Sequence, residues 1–142
     1  MSDEMRQRVV ALAIEWDGTP YVHEGRSKGK CADCTFFAKV FEEAGVIPPV
    51  IIPHYSPQAH VNRQSAPYMA IVQRYAKREV PESEAQPGDV VLYNMARCFS
   101  HGGVVVKWPQ IVHADMAVGR VVRAEGHVGR MQGYERRFFS FW

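Results

Sequence analysis

The chain has 142 residues, of which 46% are hydrophobic and 23% charged, with a formal net charge of +2 and three cysteines. This size and composition predict one folded domain over residues 1–142. The basic residues are scattered along the chain and do not form the basic patch that is typical of nucleic-acid-binding proteins. Three cysteines are too few for a disulfide framework, and no apolar run approaches the length of a membrane span.

The first half of the sequence predicts helices separated by loops. Apolar residues recur at helical spacing over residues 3–16, and a Gly-Thr-Pro turn at residues 18–20 follows them. Residues 21–31 are rich in glycine and in small or charged side chains, which indicates a loop. A second helix is expected to begin near Cys34 and to end at Gly45, a short one to follow the Ser-Pro pair at 56–57, and another to cover residues 67–77.

The second half predicts strands. A polar connector over residues 79–89 contains a Pro-Gly turn signal. After it come five short segments rich in β-branched and aromatic residues, at 90–93, 103–108, 110–114, 118–123 and 134–141. Helices followed by an antiparallel sheet of about five strands make the expected fold class α+β.

One thiol and two imidazoles stand out as candidates for nucleophilic chemistry. Cys34 lies at the predicted start of the second helix, where the helix dipole favours a thiolate. His101 and His113 lie at and within two consecutive strands, and a hairpin around Trp108-Pro109 would let them face each other. A thiol, a base and a group that orients the base are the parts that covalent amide hydrolysis requires.

Five short motifs, in a fixed order, resemble those of the NlpC-type cell-wall peptidases, a papain-related family that cleaves peptidoglycan stem peptides. They are Gly-Thr-Pro-Tyr at 18–21, Asp-Cys-Thr at 33–35, Gln-Pro-Gly-Asp-Val-Val at 86–91, Ser-His-Gly-Gly-Val at 100–104 and Ile-Val-His-Ala at 111–114. The resemblance extends over residues 5–125. The segment Tyr-Val-His-Glu at 21–24 is most similar to stand-alone peptidases encoded with phage-tail and gene-transfer-agent genes.

The resemblance implies a papain-like domain in which Cys34 is the nucleophile, His101 the general base and His113 the orienting third member. It implies hydrolysis through an acyl-enzyme of an amide bond in the peptidoglycan stem peptide, typically between γ-D-glutamate and the diamino acid. It requires no cofactor and no metal.

The resemblance also implies three residues that bind substrate. His23 stands near a position where the family has a tyrosine that helps to bind the oxyanion, and Asp33 and Thr35 match positions that line the substrate groove. The N-terminal sequence lacks the apolar core of a signal peptide, so we expect synthesis in the cytoplasm. Delivery to the cell wall by a phage-type tail or another secretion particle is then expected.

Two alternatives use the cysteines differently. Cys31-x-x-Cys34 and Cys98-x-x-His101 have the spacing of zinc ligands within each pair, and would make the chain a zinc-stabilised binding module. Cys31 and Cys34 alone could form a thioredoxin-like redox pair, although the βαβ unit expected before such a pair is missing.

Overall fold

Three of the four predicted helices lie within the residues that the structure describes. The computed structural model describes residues 2–55, 67–95 and 98–142. Helix α1 spans Ser2–Ile14, a 3-10 turn at Cys34–Phe36 leads into α2 at Phe37–Ala44, and α3 spans Pro67–Tyr75. Helix α2 ends where Gly45 takes a left-handed conformation with a φ of 80°, which costs glycine little. The short helix predicted after residue 57 lies outside the described residues.

The strands of the described residues form two antiparallel sheets. Their bounds are β1 Arg26–Ser27, β2 Cys31–Ala32, β3 Arg78–Val80, β4 Val90–Asn94, β5 Phe99–Lys107, β6 Gln110–Asp115, β7 Arg120–Glu125 and β8 Glu135–Ser140. Strands β1 and β2 pair with each other inside the predicted loop, and the other six form one sheet in the order β3-β8-β4-β5-β6-β7.

The α+β fold class is confirmed, but the main sheet has six strands where we predicted five. The missed strand is β3, which pairs with β8 and places Val80 opposite Phe138. Strand β3 is short and lies at the sheet edge with Arg78 and Glu79 exposed. It therefore lacks the alternating apolar pattern by which a strand is recognised in sequence.

Alternate residues of β4 belong to two different hydrophobic cores. Val90 and Leu92 contribute to the larger core, which also contains the buried residues of the three helices, whereas Val91 and Tyr93 contribute to a smaller one. Because neighbouring residues of a strand point to opposite faces, the helices cover one face of the sheet and the smaller core lies on the other.

A buried ion pair fastens α1 to the sheet. Arg6 is 5% exposed and donates hydrogen bonds to the Asp89 carboxylate at 2.7 Å, to the Pro87 carbonyl at 2.9 Å and to the Ser140 hydroxyl at 3.1 Å. Its guanidinium also lies 4.7 Å from the centre of the Trp142 ring. The helix is thereby tied to the start of β4 and to the end of β8. Within the part of the chain that the structure describes, every helix is too short or too polar to cross a bilayer.

Candidate active site

Cys34 is the first residue of the 3-10 turn that precedes α2, and its side chain points at the sheet. The preceding residue, Asp33, is extended and accepts a hydrogen bond from the Thr35 amide, which caps the turn. The Cys34 thiol donates to the carbonyl of Ser100 at 3.4 Å. Ser100 directly precedes His101, so the thiol lies against the beginning of β5.

The structure brings His101 and His113 together from neighbouring strands. Nε2 of His101 lies 2.8 Å from Nδ1 of His113, and the two rings meet at 74°. Strands β5 and β6 pair through Val104 and Val112. Gly103 lets β5 lie close to β6 here, because a Cβ added there would lie 3.0 Å from the Val112 carbonyl and 3.2 Å from the Cβ of His113.

An acidic residue that the sequence did not single out continues this series of contacts. Asp115, at the end of β6, is buried, and one of its carboxylate oxygens lies 3.9 Å from Nε2 of His113. Arg130, in a 3-10 turn at Gly129–Met131, donates to both oxygens of that carboxylate at 2.6 Å. Nothing in the spacing of the sequence links Arg130 to β6, because the contact arises only when the chain folds back after β7.

Burial decides the protonation of the thiol and the imidazole. Burial, with a smaller effect of the Asp33 charge, raises the pKa of the Cys34 thiol well above its usual range. Burial, with a smaller effect of His113, lowers the pKa of His101 to about 3. The resting site therefore holds a neutral thiol and a neutral imidazole, in agreement with the hydrogen bond that the thiol donates to a carbonyl. Burial and the Asp33 charge outweigh the backbone hydrogen bond and the Arg26 charge, which lower the pKa of Cys34, so the thiolate expected at the helix start is not the resting form.

The thiol and both histidines line one cleft of about 350 Å³. Tyr21 and Tyr55 also line it. Burial is the main cause that raises the pKa of Tyr21, and the nearby Cys34 raises it further, so its phenol stays a hydrogen-bond donor. The sequence contained a signal for Tyr21, since it closes the Gly-Thr-Pro-Tyr motif, but none for Tyr55, which follows a proline-rich loop.

The residues predicted to bind substrate take different positions. His23 lines the cleft, but its Nε2 lies 2.8 Å from the Tyr55 carbonyl. A carbonyl only accepts, so Nε2 of His23 donates its proton to this carbonyl and not to a group in the cleft. Asp33 also lines the cleft, although its carboxylate accepts from the Glu24 amide at 2.7 Å and from the Tyr55 hydroxyl. Thr35 is fully buried, and its hydroxyl contacts Asp33 at 2.5 Å.

The zinc alternative would bring Cys31, Cys34, Cys98 and His101 around one ion. All four are among the described residues, and within that set no three His, Cys, Asp or Glu side chains are placed to hold a metal. The redox alternative would pair Cys31 with Cys34, which are both thiols here, and Cys31 lies on β2 next to a loop. The placement of these residues does not support the zinc alternative, whereas two free thiols are also what the reduced form of the redox pair would show.

Comparisons with known proteins agree with the fold. Residues 18–139 match the sequence model of the NlpC/P60 family. The NlpC/p60 domain of the peptidoglycan hydrolase SagA is 20% identical, with a TM-score of 0.63 over 93% of this chain and 96% of that one. No curated protein sequence gives a match.

Two structures from Mycobacterium tuberculosis share this fold. The peptidoglycan hydrolase RipB is 20% identical with a TM-score of 0.65, over 99% of this chain and 66% of RipB. RipD is 14% identical with a TM-score of 0.61, over 97% of this chain and 98% of that one. RipD is described as a non-catalytic NlpC/p60 domain protein adapted to peptidoglycan binding.

Proposed function

Because the chain belongs to the NlpC/P60 family, we propose that it is a cysteine hydrolase that cleaves an amide bond in peptidoglycan stem peptides. The observation that carries the proposal is the contact series from Cys34 through Ser100–His101 to His113 in one cleft. RipB and the SagA domain, which share the fold, are peptidoglycan hydrolases.

The proposed reaction begins with proton transfer from Cys34 to His101. Nε2 of His101 is engaged with His113, so Nδ1 is the atom that accepts the proton as the sulfur attacks the amide carbonyl. Imidazolium His101 then protonates the leaving amine, and water releases the acyl group from the thioester. A neutral thiol and imidazole at rest mean that the thiolate forms during the attack and not before it.

The oxyanion formed in this step needs donors. We propose the Cys34 backbone N–H and the Tyr21 hydroxyl, which lies in the same cleft as a neutral phenol. Tyr21 is favoured over His23, whose protonated Nε2 is engaged by the Tyr55 carbonyl. Asp33, hydrogen-bonded to Tyr55, would shape the substrate groove from one side, and Thr35 would act only through Asp33.

Digestion of purified peptidoglycan, followed by mass spectrometry of the fragments, tests the proposal. Wild type should release new stem-peptide fragments, Cys34→Ala should release none, and Cys31→Ala should match wild type. The mass of the fragments identifies the bond, and cleavage between γ-D-glutamate and the diamino acid is expected. Binding of sacculi without new fragments, or equal fragments from wild type and Cys34→Ala, would contradict hydrolysis by this thiol.

We also propose that a phage-type tail or similar particle delivers the protein to the cell wall, which the motif resemblance alone supports. Proteomic analysis of purified particles from the producing cells tests this. The protein should be enriched in particles relative to abundant cytoplasmic proteins, and its absence from them would contradict particle delivery.

A further inference from the structure

The contact between the two histidines restricts which nitrogen of each ring carries a proton. For His101 to accept a proton at Nδ1, its Nε2 must already carry one and donate to Nδ1 of His113. Neutral His113 must then carry its own proton at Nε2. This nitrogen faces Asp115, whose nearer oxygen lies 3.9 Å away. The active tautomer of His101 is therefore linked, through His113, to the group that faces Nε2 of His113.

We infer that Asp115 is a positioning residue of this hydrolase, which selects the Nε2–H tautomer of His113 and thereby keeps Nδ1 of His101 free to accept the proton of Cys34. At 3.9 Å the carboxylate is beyond a direct hydrogen bond but close enough for its charge to favour an N–H facing it. The inference rests on the proposed function and adds to the Cys34, His101 and His113 set a fourth group, which acts through His113.

The groups around Asp115 determine both the ionisation of its carboxylate and which of its oxygens faces His113. One oxygen, Oδ1, accepts from the amides of Ala117 at 2.9 Å and Val118 at 3.2 Å, so the other, Oδ2, is the oxygen directed at His113. Arg130 donates to both oxygens. Burial alone would raise the pKa of Asp115, but the hydrogen bonds of Arg130 and Val118 more than compensate and lower it. The carboxylate therefore stays ionised at neutral pH.

The charged groups around His113 act in opposite directions. His101 faces it from β5, Asp115 from β6 and Arg130 from the 3-10 turn after β7, while Cys34 lies beyond His101. Burial lowers the pKa of His113, the Asp115 charge raises it, and the Arg130 charge lowers it. The Asp115 carboxylate and the Arg130 guanidinium thus shift the pKa of His113 in opposite directions. Removing one or the other should therefore shift the pH profile in opposite directions.

Asp115 also caps the turn after β6, so a test must separate capping from tautomer selection. Asp115→Asn does so, because its amide oxygen can still accept from Ala117 and Val118 while its NH₂ group replaces the oxygen that faces His113. A donor at that place favours an unprotonated Nε2 on His113. The proton would then lie on Nδ1 of His113, and His101 would carry its own proton on the nitrogen that should act as base.

Two measurements on the full chain test the inference. Long-range ¹H–¹⁵N spectra at pH 7 should show His113 as the Nε2–H tautomer in wild type and as the Nδ1–H tautomer in Asp115→Asn. The value of kcat/KM for stem-peptide hydrolysis should fall at least about 10-fold, since the wrong tautomer of a catalytic histidine can cost up to about 10⁴-fold. Asp115→Asn should lower thermal stability less than Asp115→Ala, because the turn cap is kept and only the half-exposed ion pair with Arg130 is lost.

The pH profile supplies a readout that a purely structural role would not move. The acidic limb of the kcat/KM profile reports protonation of the histidine pair. It should shift to lower pH in Asp115→Asn, which removes a negative charge, and to higher pH in Arg130→Gln, which removes a positive charge but keeps the turn. An unchanged tautomer, or limbs that shift in the same direction, would overturn the inference. If Asp115→Asn does not fold, an unshifted limb in Arg130→Gln would overturn it. The tautomers are read without turnover, so a wild type that hydrolyses no peptidoglycan refutes the proposed function, not the tautomer assignment.

Discussion

The neutral imidazole of His101, half-buried in the cleft, makes the stability of the fold depend on pH, and His101→Gln should remove much of this dependence. In the folded chain the pKa of His101 is about 3, whereas an unfolded chain protonates a histidine near pH 6.5. Between these values the unfolded state binds the additional proton. Stability is therefore present above pH about 6.5 and is lost as the pH falls toward the folded pKa.

The size of the effect follows from the two pKa values. Each pH unit in this window costs at most about 1.4 kcal/mol per histidine. Integrated from pH 7 to pH 5, with an unfolded pKa near 6.5, the loss from His101 is about 2 kcal/mol. Wild type should therefore lose about 2 kcal/mol more free energy of unfolding than His101→Gln over this interval, whatever the substitution costs at pH 7.

Urea unfolding of both proteins under reducing conditions, at pH 7 and pH 5, measures the loss of unfolding free energy for each. The loss for wild type minus the loss for His101→Gln is the double difference. His101→Asn is the matched control, because it is a second replacement that does not titrate, and it should give the same difference from wild type as His101→Gln. A double difference near zero would refute the neutral imidazole. A double difference of opposite sign would indicate a thiolate–imidazolium pair at rest, since the folded pKa of His101 would then be raised instead of lowered.

Three further substitutions test the packing around the site. Arg6→Ala leaves the Asp89 carboxylate buried without its partner and should cost about 3–5 kcal/mol of unfolding free energy in urea titrations, and Arg6→Lys should cost less. Equal losses would show that the charge is unimportant. Gly102→Ala places a Cβ 2.5 Å from the Tyr68 ring and 2.7 Å from the Val91 carbonyl and should cost about 1–3 kcal/mol, measured the same way; no loss would show that both the ring and β4 can shift to make room. Asp33→Ala removes the cap of the Cys34 turn and should lower stability by about 2 kcal/mol and kcat more than KM, and a change confined to KM would contradict a role in holding the turn.

The helices, the sheet and the three central site residues could be predicted because each leaves a local pattern. Helix α2 shows the 3.6-residue spacing and ends at Gly45, and the segment containing His113 is a run of β-branched and small residues. The family motifs also have a fixed order. The family resemblance is confirmed by the match over residues 18–139. The catalytic roles of Cys34 and His101 stay predictions.

What the sequence could not predict depends on contacts between distant segments. Strand β3 is a strand only because β8 pairs with it, and Asp115 is part of the site only because Arg130 and His113 meet it in space. The neutral state of the Cys34 thiol could not be predicted either. The sequence shows that Cys34 lies at a helix start, but not how far folding removes its side chain from water. These are long-range effects, which periodicity over a short window does not record.

The position of β8 between β3 and β4 has a consequence for the biosynthesis of the protein. A growing polypeptide makes β3 and β4 well before residues 135–140 leave the ribosome, and until then each of these strands presents an unpaired edge. The sheet is therefore completed late, through contacts of large sequence separation, which is a slow route to the native state. Stalled or truncated translation products would expose open edges to one another, so expression of this protein should benefit from chaperones that shield nascent strands.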